Sequence, residues 1–205
     1  MILEYKTLAK PAEEILLKEK GSKFIGFAYP AESETEIKDI LENLRTVHPK
    51  ATHHCYAYRL GIKGDQYRAN DDGEPSGSAG LPIYNQLLAH EITNVLVIVV
   101  RYYGGTKLGV SGLVKAYKEA AKDAIEATEI IVKELEETVT IEFPFSLQNV
   151  IFTLLSKYDA KILEFDADEN CSIKASLKTA HKENISEKLS EMQNVAFNFL
   201  MICRT

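Results

Sequence analysis

Cysteine is scarce, positive charge is in deficit and no apolar run is long, and each absence removes a class of protein before any motif is read. Cys55, Cys171 and Cys203 are odd in number and widely spaced, with no CxxC pair. That excludes a disulfide framework and a structural zinc site and leaves reduced thiols. The 24 Lys and Arg against 30 Asp and Glu give a formal net charge of −6. Broad gripping of phosphates needs clustered cations, so a general positive coat is excluded and only a local basic patch stays open. The longest apolar stretch, residues 95–100, falls far below the roughly 20 residues that cross a bilayer. The opening MILEYKTLAK sets Glu4 and Lys6 where a signal peptide needs an unbroken apolar run. A cytoplasmic protein with no membrane partner is therefore expected. GxxxxGK[ST], GxGxxG and GxSxG are all missing, and so are internal repeats and low-complexity tracts.

What is present is an ordinary folded composition: 205 residues, 45% hydrophobic and 26% charged, enough for one large domain or two small ones. In the first half, residues 12–18 and 23–29 read as a hairpin across the turn Lys20, Gly21, Ser22. Ser33 to Glu36 reads as a capping box ahead of Ile37, Ile40, Leu41, Leu44 and Val47 at helical spacing, with Pro49 beyond the end. Residues 55–60 read as a strand. The β-branched run 95–100 suits a central strand covered on both faces. A helix with Pro82 in its first turn runs from about residue 81 to 90. Another follows, with Leu113, Val114, Tyr117, Ala120, Ala121, Ala124 and Ile125 as its buried stripe.

The second half falls in the order strand, helix, strand, strand, helix, strand, at 138–143, 147–158, 161–165, 172–177, 185–192 and 195–201. This βαββαβ order is the ferredoxin-like plan, two helices on one face of an antiparallel sheet. The boundary at 130–137 has no Pro, Gly or Ser run, so a short stiff connection is expected between domains at 1–132 and 133–205.

Chemistry concentrates in two stretches. Asp71, Asp72, Gly73, Glu74, Pro75, Ser76, Gly77, Ser78, Ala79 and Gly80 form a polar segment too long for a simple turn, although turn-forming residues alone explain much of its composition. Arg101, Tyr102, Tyr103, Gly104, Gly105, Thr106 and Lys107 lead through Gly109 and Ser111 into a helix. In α/β architecture ligands sit at such a strand end, and glycine N–H groups with a helix N-terminus suit an anion. Arg101 and Lys107 read equally well as salt-bridge partners of Asp71, Asp72 or Glu74. Of Tyr102 and Tyr103, strand alternation sends only one toward the loop. His53 or His54 could serve as a base in the cleft. A hydrolytic metal site from Asp71, Asp72, Glu74 and one histidine is chemically conceivable, but three loop carboxylates are weakly specific, and no metal or cofactor is expected.

The strings DDGEPSGSAGLPIYNQL (71–87) and NVLVIVVRYYGGTKLGVSGLVKAY (94–117) resemble the YigZ/IMPACT family. The resemblance implies an α/β (α+β) chain whose first domain is similar to domain two of ribosomal protein S5, with a left-handed βαβ arrangement shared with the translocation elongation factor. The ferredoxin-like second domain is then similar to a neighbouring domain of that factor. Translation-linked or RNA-linked binding follows as an expectation, since eukaryotic relatives regulate translation by competing for a ribosome-associated activator of a stress kinase. Ser111 stands where relatives usually carry Gly and could cap the helix by its hydroxyl. Lys115 stands where Arg is common and keeps charge without the planar fork.

Three readings of function follow. An RNA- or ribosome-binding module would use Arg101, Lys107, Lys115 and Lys118. An enzyme would hold a small phosphorylated or anionic compound between the acidic loop (Asp71, Asp72, Glu74, Ser76, Ser78) and the glycine loop (Arg101, Tyr102, Gly104, Gly105, Lys107, Gly109). A protein-protein regulator in translation would use the same face without nucleic acid. Binding ranks above catalysis because no oriented nucleophile and base are visible.

Overall fold

A computed structural model describes residues 2–167 and 170–201. The chain divides into two compact units, Ile2–Lys133 and the residues from Glu134 onward. The first contains β1 (Glu4–Leu8), β2 (Ala12–Glu19), β3 (Ser22–Pro30), α1 (Glu34–Val47), β4 (His53–Leu60), β5 (Gln66–Asn70), α2 (Gly80–Ala89), β6 (Val95–Tyr102) and α3 (Gly109–Glu126), and β7 (Ile130–Glu134) reaches the boundary.

The β-branched run does occupy the middle of the five-stranded sheet, whose order is β2-β3-β6-β4-β5. All neighbouring strands pair antiparallel. Alternation along β6 then divides its side chains between two cores. Val95, Val97 and Val99 pack with Ile83 and Leu87 of α2 and with the Ala-rich stripe of α3, and Leu96, Ile98 and Val100 pack with Ile37, Leu41 and Leu44 of α1. A strand between two helical layers has no polar face, which is why its sequence does not alternate.

The hairpin turn sits at Lys20 and Gly21, both at positive φ (44° and 83°), the backbone that matches the twist of the flanking strands. Ser33 caps α1 by accepting from the Glu36 N–H. The returning Glu36 carboxylate bonds the N–H of Glu32 rather than that of Ser33, one residue before a capping box would place it. Ala116, absent from the expected stripe of α3, is buried, whereas Val114 is only half-buried.

Two further differences from expectation concern edges and boundaries. β5 lacks apolar alternation because it is an exposed edge strand, and its pattern QYRAN carries no periodic signal. The stretch at 130–137 is not simply a connection: β7 pairs with β1 in a two-stranded sheet, and only Leu135 separates it from the next strand.

The second unit runs β8 (Glu136–Pro144), α4 (Gln148–Lys157), β9 (Lys161–Ala167), β10 (Asn170–Lys178), α5 (Lys182–Ser190) and β11 (Ala196–Met201). Its antiparallel sheet has the order β11-β8-β10-β9. Val139, Ile141, Phe143 and Ile173 of the central strands meet Ile151, Leu155, Ile185 and Leu189 of the two helices. The architecture is thus α+β in both units. No helix among the described residues is long and apolar enough to cross a membrane.

The two-sided burial of β6 predicts its sensitivity. Ile98→Ala leaves a cavity against α1 and should cost about 2–5 kcal/mol in denaturant unfolding. Leu16→Ala, on the outer strand β2 where the side chain is exposed, should change stability by less than about 0.5 kcal/mol.

Candidate functional site

Register places Phe24, Arg101 and His53 side by side across β3, β6 and β4, on the sheet face that carries α2 and α3. Arg101 is the last residue of β6 to face that core, and its side chain is only 6% exposed. A cation there requires a partner. It comes from the acidic loop: Glu74, 4% exposed, lies with Oε1 2.6 Å from the Arg101 guanidinium. The same oxygen accepts from the Tyr117 hydroxyl of α3 at 2.7 Å. The guanidinium lies over the rings of Phe24 (5.3 Å) and Tyr103 (5.6 Å), and its second terminal nitrogen donates to Ser22 Oγ at 3.4 Å. Beneath them the Cys55 thiol points at the Asp71 carbonyl (3.0 Å) and the Tyr117 oxygen (3.3 Å). Burial pushes both the Cys55 thiol and the Tyr117 hydroxyl well above their ordinary pKa values, so both are neutral and Cys55 is no thiolate nucleophile.

The carboxylate loop is folded in on itself. The Asp71 carboxylate accepts from the N–H groups of Gly77, Ala79 and Gly80 at 2.8–2.9 Å, doing for α2 what an N-cap side chain would do. Asp72 accepts from the His54 N–H at 2.6 Å and from Arg45 at 3.2 Å, and its own N–H bonds Asn70 Oδ1. Buried Ser78 donates to the Pro75 carbonyl, while Ser76 is exposed.

The glycine loop is anchored at its start and open beyond. A Cβ on Gly104 would lie 1.9 Å from the Gly21 carbonyl carbon, so only glycine permits the loop to cross the β2–β3 turn. Its N–H donates to Ser22 Oγ at 3.1 Å. The exposed Tyr103 closes a short turn by donating to the Gly105 carbonyl. Tyr102 turns to the α1 face instead and meets His48 Nδ1 at 2.9 Å. α3 begins at Gly109, whose φ is 72°, and its N-cap residue, Leu108, makes no side-chain bond. Ser111 therefore lies inside the first turn and does not cap the helix as expected. Lys107, Lys115 and Lys118 are exposed.

The two stretches singled out from sequence thus meet at the Glu74–Arg101 pair. His53 joins them, with Nε2 3.8 Å from Glu74 Oε1 and Nδ1 2.7 Å from the Asp72 carbonyl. His54 and Tyr102 face the opposite side of the sheet; burial lowers the His54 pKa more than Asp72 raises it, so its ring stays neutral. The antiparallel pairing around β6 also removes the argument from strand ends in parallel α/β sheets. Among the described residues no three His, Cys, Asp or Glu side chains gather as metal ligands. Sequence reasoning missed Ser22, Cys55 and the hydroxyl of Tyr117. The signal for Tyr117 was its place in an alanine-rich buried stripe, where a phenol needs a partner.

The Impact N-terminal domain family matches residues 20–125. The chain is 32% identical to IMPACT family member YigZ of Escherichia coli, over 89% of this chain and 91% of that protein. It is 31% identical to the Protein IMPACT homolog of Saccharomyces cerevisiae, over 44% of this chain and 36% of that one. A crystal structure of a hypothetical protein superposes with TM-score 0.71 at 29% identity, covering 100% of both chains.

The three N–H groups held by Asp71 predict a measurable loss when they are released. Asp71→Ala should destabilise the chain by about 2 kcal/mol, the scale of hydrogen bonds to a charged group. It should also expose residues 72–78 to proteolysis. Unchanged unfolding and digestion patterns would show that the carboxylate does not hold the loop.

Proposed function

As the chain belongs to the IMPACT family, we propose that it is a translation-linked binding protein that contacts RNA phosphates or the ribosome surface through its glycine loop. One observation carries the reading: the acidic loop's charges are engaged inside the protein, whereas Lys107 of the glycine loop and Lys115 and Lys118 of α3 are exposed. Arg101, expected among the RNA contacts, is instead buried against Glu74 and is not available to them. Asp71 is bonded to backbone, Asp72 to His54 and Arg45, and Glu74 to Arg101 and Tyr117. Lys107, Lys115 and Lys118 stay exposed, and the first turn of α3 carries no acidic residue. Lys115 and Lys118, three apart, share one helix face. A chain of net charge −6 can in this way present a local cationic surface, with glycine N–H groups adding donors for anionic oxygens.

The translation link rests on the resemblance to eukaryotic regulators, and the ribosome is the natural large anionic partner. Catalysis on a small anionic substrate is less supported. Glu74, Cys55 and Tyr117 are sealed among themselves, and Asp71 and Asp72 serve as loop ties, so none of these five side chains is a free nucleophile facing solvent.

Cosedimentation of the purified chain with ribosomes, and anisotropy with structured RNA, tests this across a salt series. Affinity should fall as salt rises. Lys107→Ala, Lys115→Ala and Lys118→Ala should each weaken binding and reduce the slope of log affinity against log salt by about one where the lysine meets a phosphate. Salt-insensitive binding, no binding, or partners that survive nuclease would contradict phosphate recognition, the last in favour of a protein partner.

A further inference from the structure

The two edges of the first unit's five-stranded sheet are finished differently. β2, at one edge, carries Glu13, Glu14, Lys18 and Glu19 and is bulged between Ala12 and Ile15, with Glu14 at φ 57°. Charges and bulges are the devices that stop a strand edge from pairing. β5, at the other edge, pairs with β4 without a register shift and carries a single charge, Arg68. Its outer backbone groups are left as an unguarded template.

Beside that edge lies an uncharged aromatic and aliphatic surface. Tyr67 of β5 is 60% exposed, and its ring stacks on Tyr84 of α2 at 4.8 Å and 24°. Leu81, Tyr84 and Leu88 recur at spacings of three and four, so they share one face of α2. Leu81 is 50% exposed and Leu88 43%. Residues 75–90 contain no Asp, Glu, Lys or Arg, in a chain that is 26% charged. Depletion of charge with aromatic enrichment marks the centre of a protein-protein interface and argues against nucleic acid on this face.

We propose that this face binds a second copy of the chain, with the two β5 strands pairing antiparallel and the two α2 helices side by side on the same side of the extended sheet. Side-chain alternation restricts such a twofold pairing to a few registers. Centred on Tyr67, it sets Tyr67 against Tyr67 of the second copy and Arg68 against that copy's Gln66. Asp65 then meets Ala69, and no like charges oppose each other. Centring on Arg68 would oppose two guanidinium groups, which disfavours that register. Because the patch itself bears no charge, the pairing brings two neutral surfaces together.

Sedimentation equilibrium of the full chain over a wide concentration range tests the proposal. The expected species is a pair of 23.0 kDa chains. Tyr67→Glu and Leu88→Glu, at exposed positions where folding can be checked by circular dichroism, should each weaken association by about thirty-fold or more, the effect of losing a central anchor. Leu16→Glu on β2 should leave it unchanged. A single-chain mass at every concentration overturns the proposal. So does a dimer that survives both substitutions, or one that Leu16→Glu abolishes.

Discussion

A guanidinium that the end of β6 places inside the protein must be matched by a carboxylate, and most of the site's architecture answers that requirement. Arg101 lies on the core face because the alternation that buries Val95, Val97 and Val99 continues for one more residue. Its guanidinium lies against the rings of Phe24 and Tyr103 and is almost fully buried. Glu74 must therefore be carried in by a loop of defined shape, and Asp71 and Asp72 supply that shape by binding the loop's own N–H groups and the backbone of His54. Tyr117 and Ser22 complete the shell around the pair.

In the function proposed above, two loops that look equally reactive in one dimension have different parts. One contributes carboxylates that are hydrogen-bonded within the fold. The other, fixed at Gly104 by its contact with Gly21, carries exposed Lys107 and leads into α3, where Lys115 and Lys118 are exposed. Recognition by the second loop would then depend indirectly on the first, since the ion pair holds the base from which the glycine loop departs.

The helices and the βαββαβ order of the second unit were legible because each is driven by apolar periodicity, the strongest local signal a chain carries, and the central strand because its unbroken β-branched run suits a strand covered on both faces. β5 was invisible for the opposite reason: as an exposed edge it needs no apolar face. β1 and β7 are short and pair with each other outside the five-stranded sheet. Within the site, the composition of 71–80 and 101–112 singled out two segments that meet at the Glu74–Arg101 pair. It could not reveal that Asp71 caps α2, that Ser111 lies past the helix start, or that Tyr117 spans from the core to Glu74. Those facts depend on which residues meet in space, at separations of up to 43 in the chain for Tyr117 and Glu74.

The central claim is that Glu74 and Arg101 act as one buried unit, and a double-mutant cycle measures this directly. Glu74→Leu, Arg101→Met and the double variant would be compared by denaturant unfolding. Each single change strands a buried charge and should cost about 3–5 kcal/mol. The double variant should then be more stable than either single, since no charge is left unpaired. Strictly additive losses, or single changes that cost almost nothing, would show that the two charges do not depend on each other.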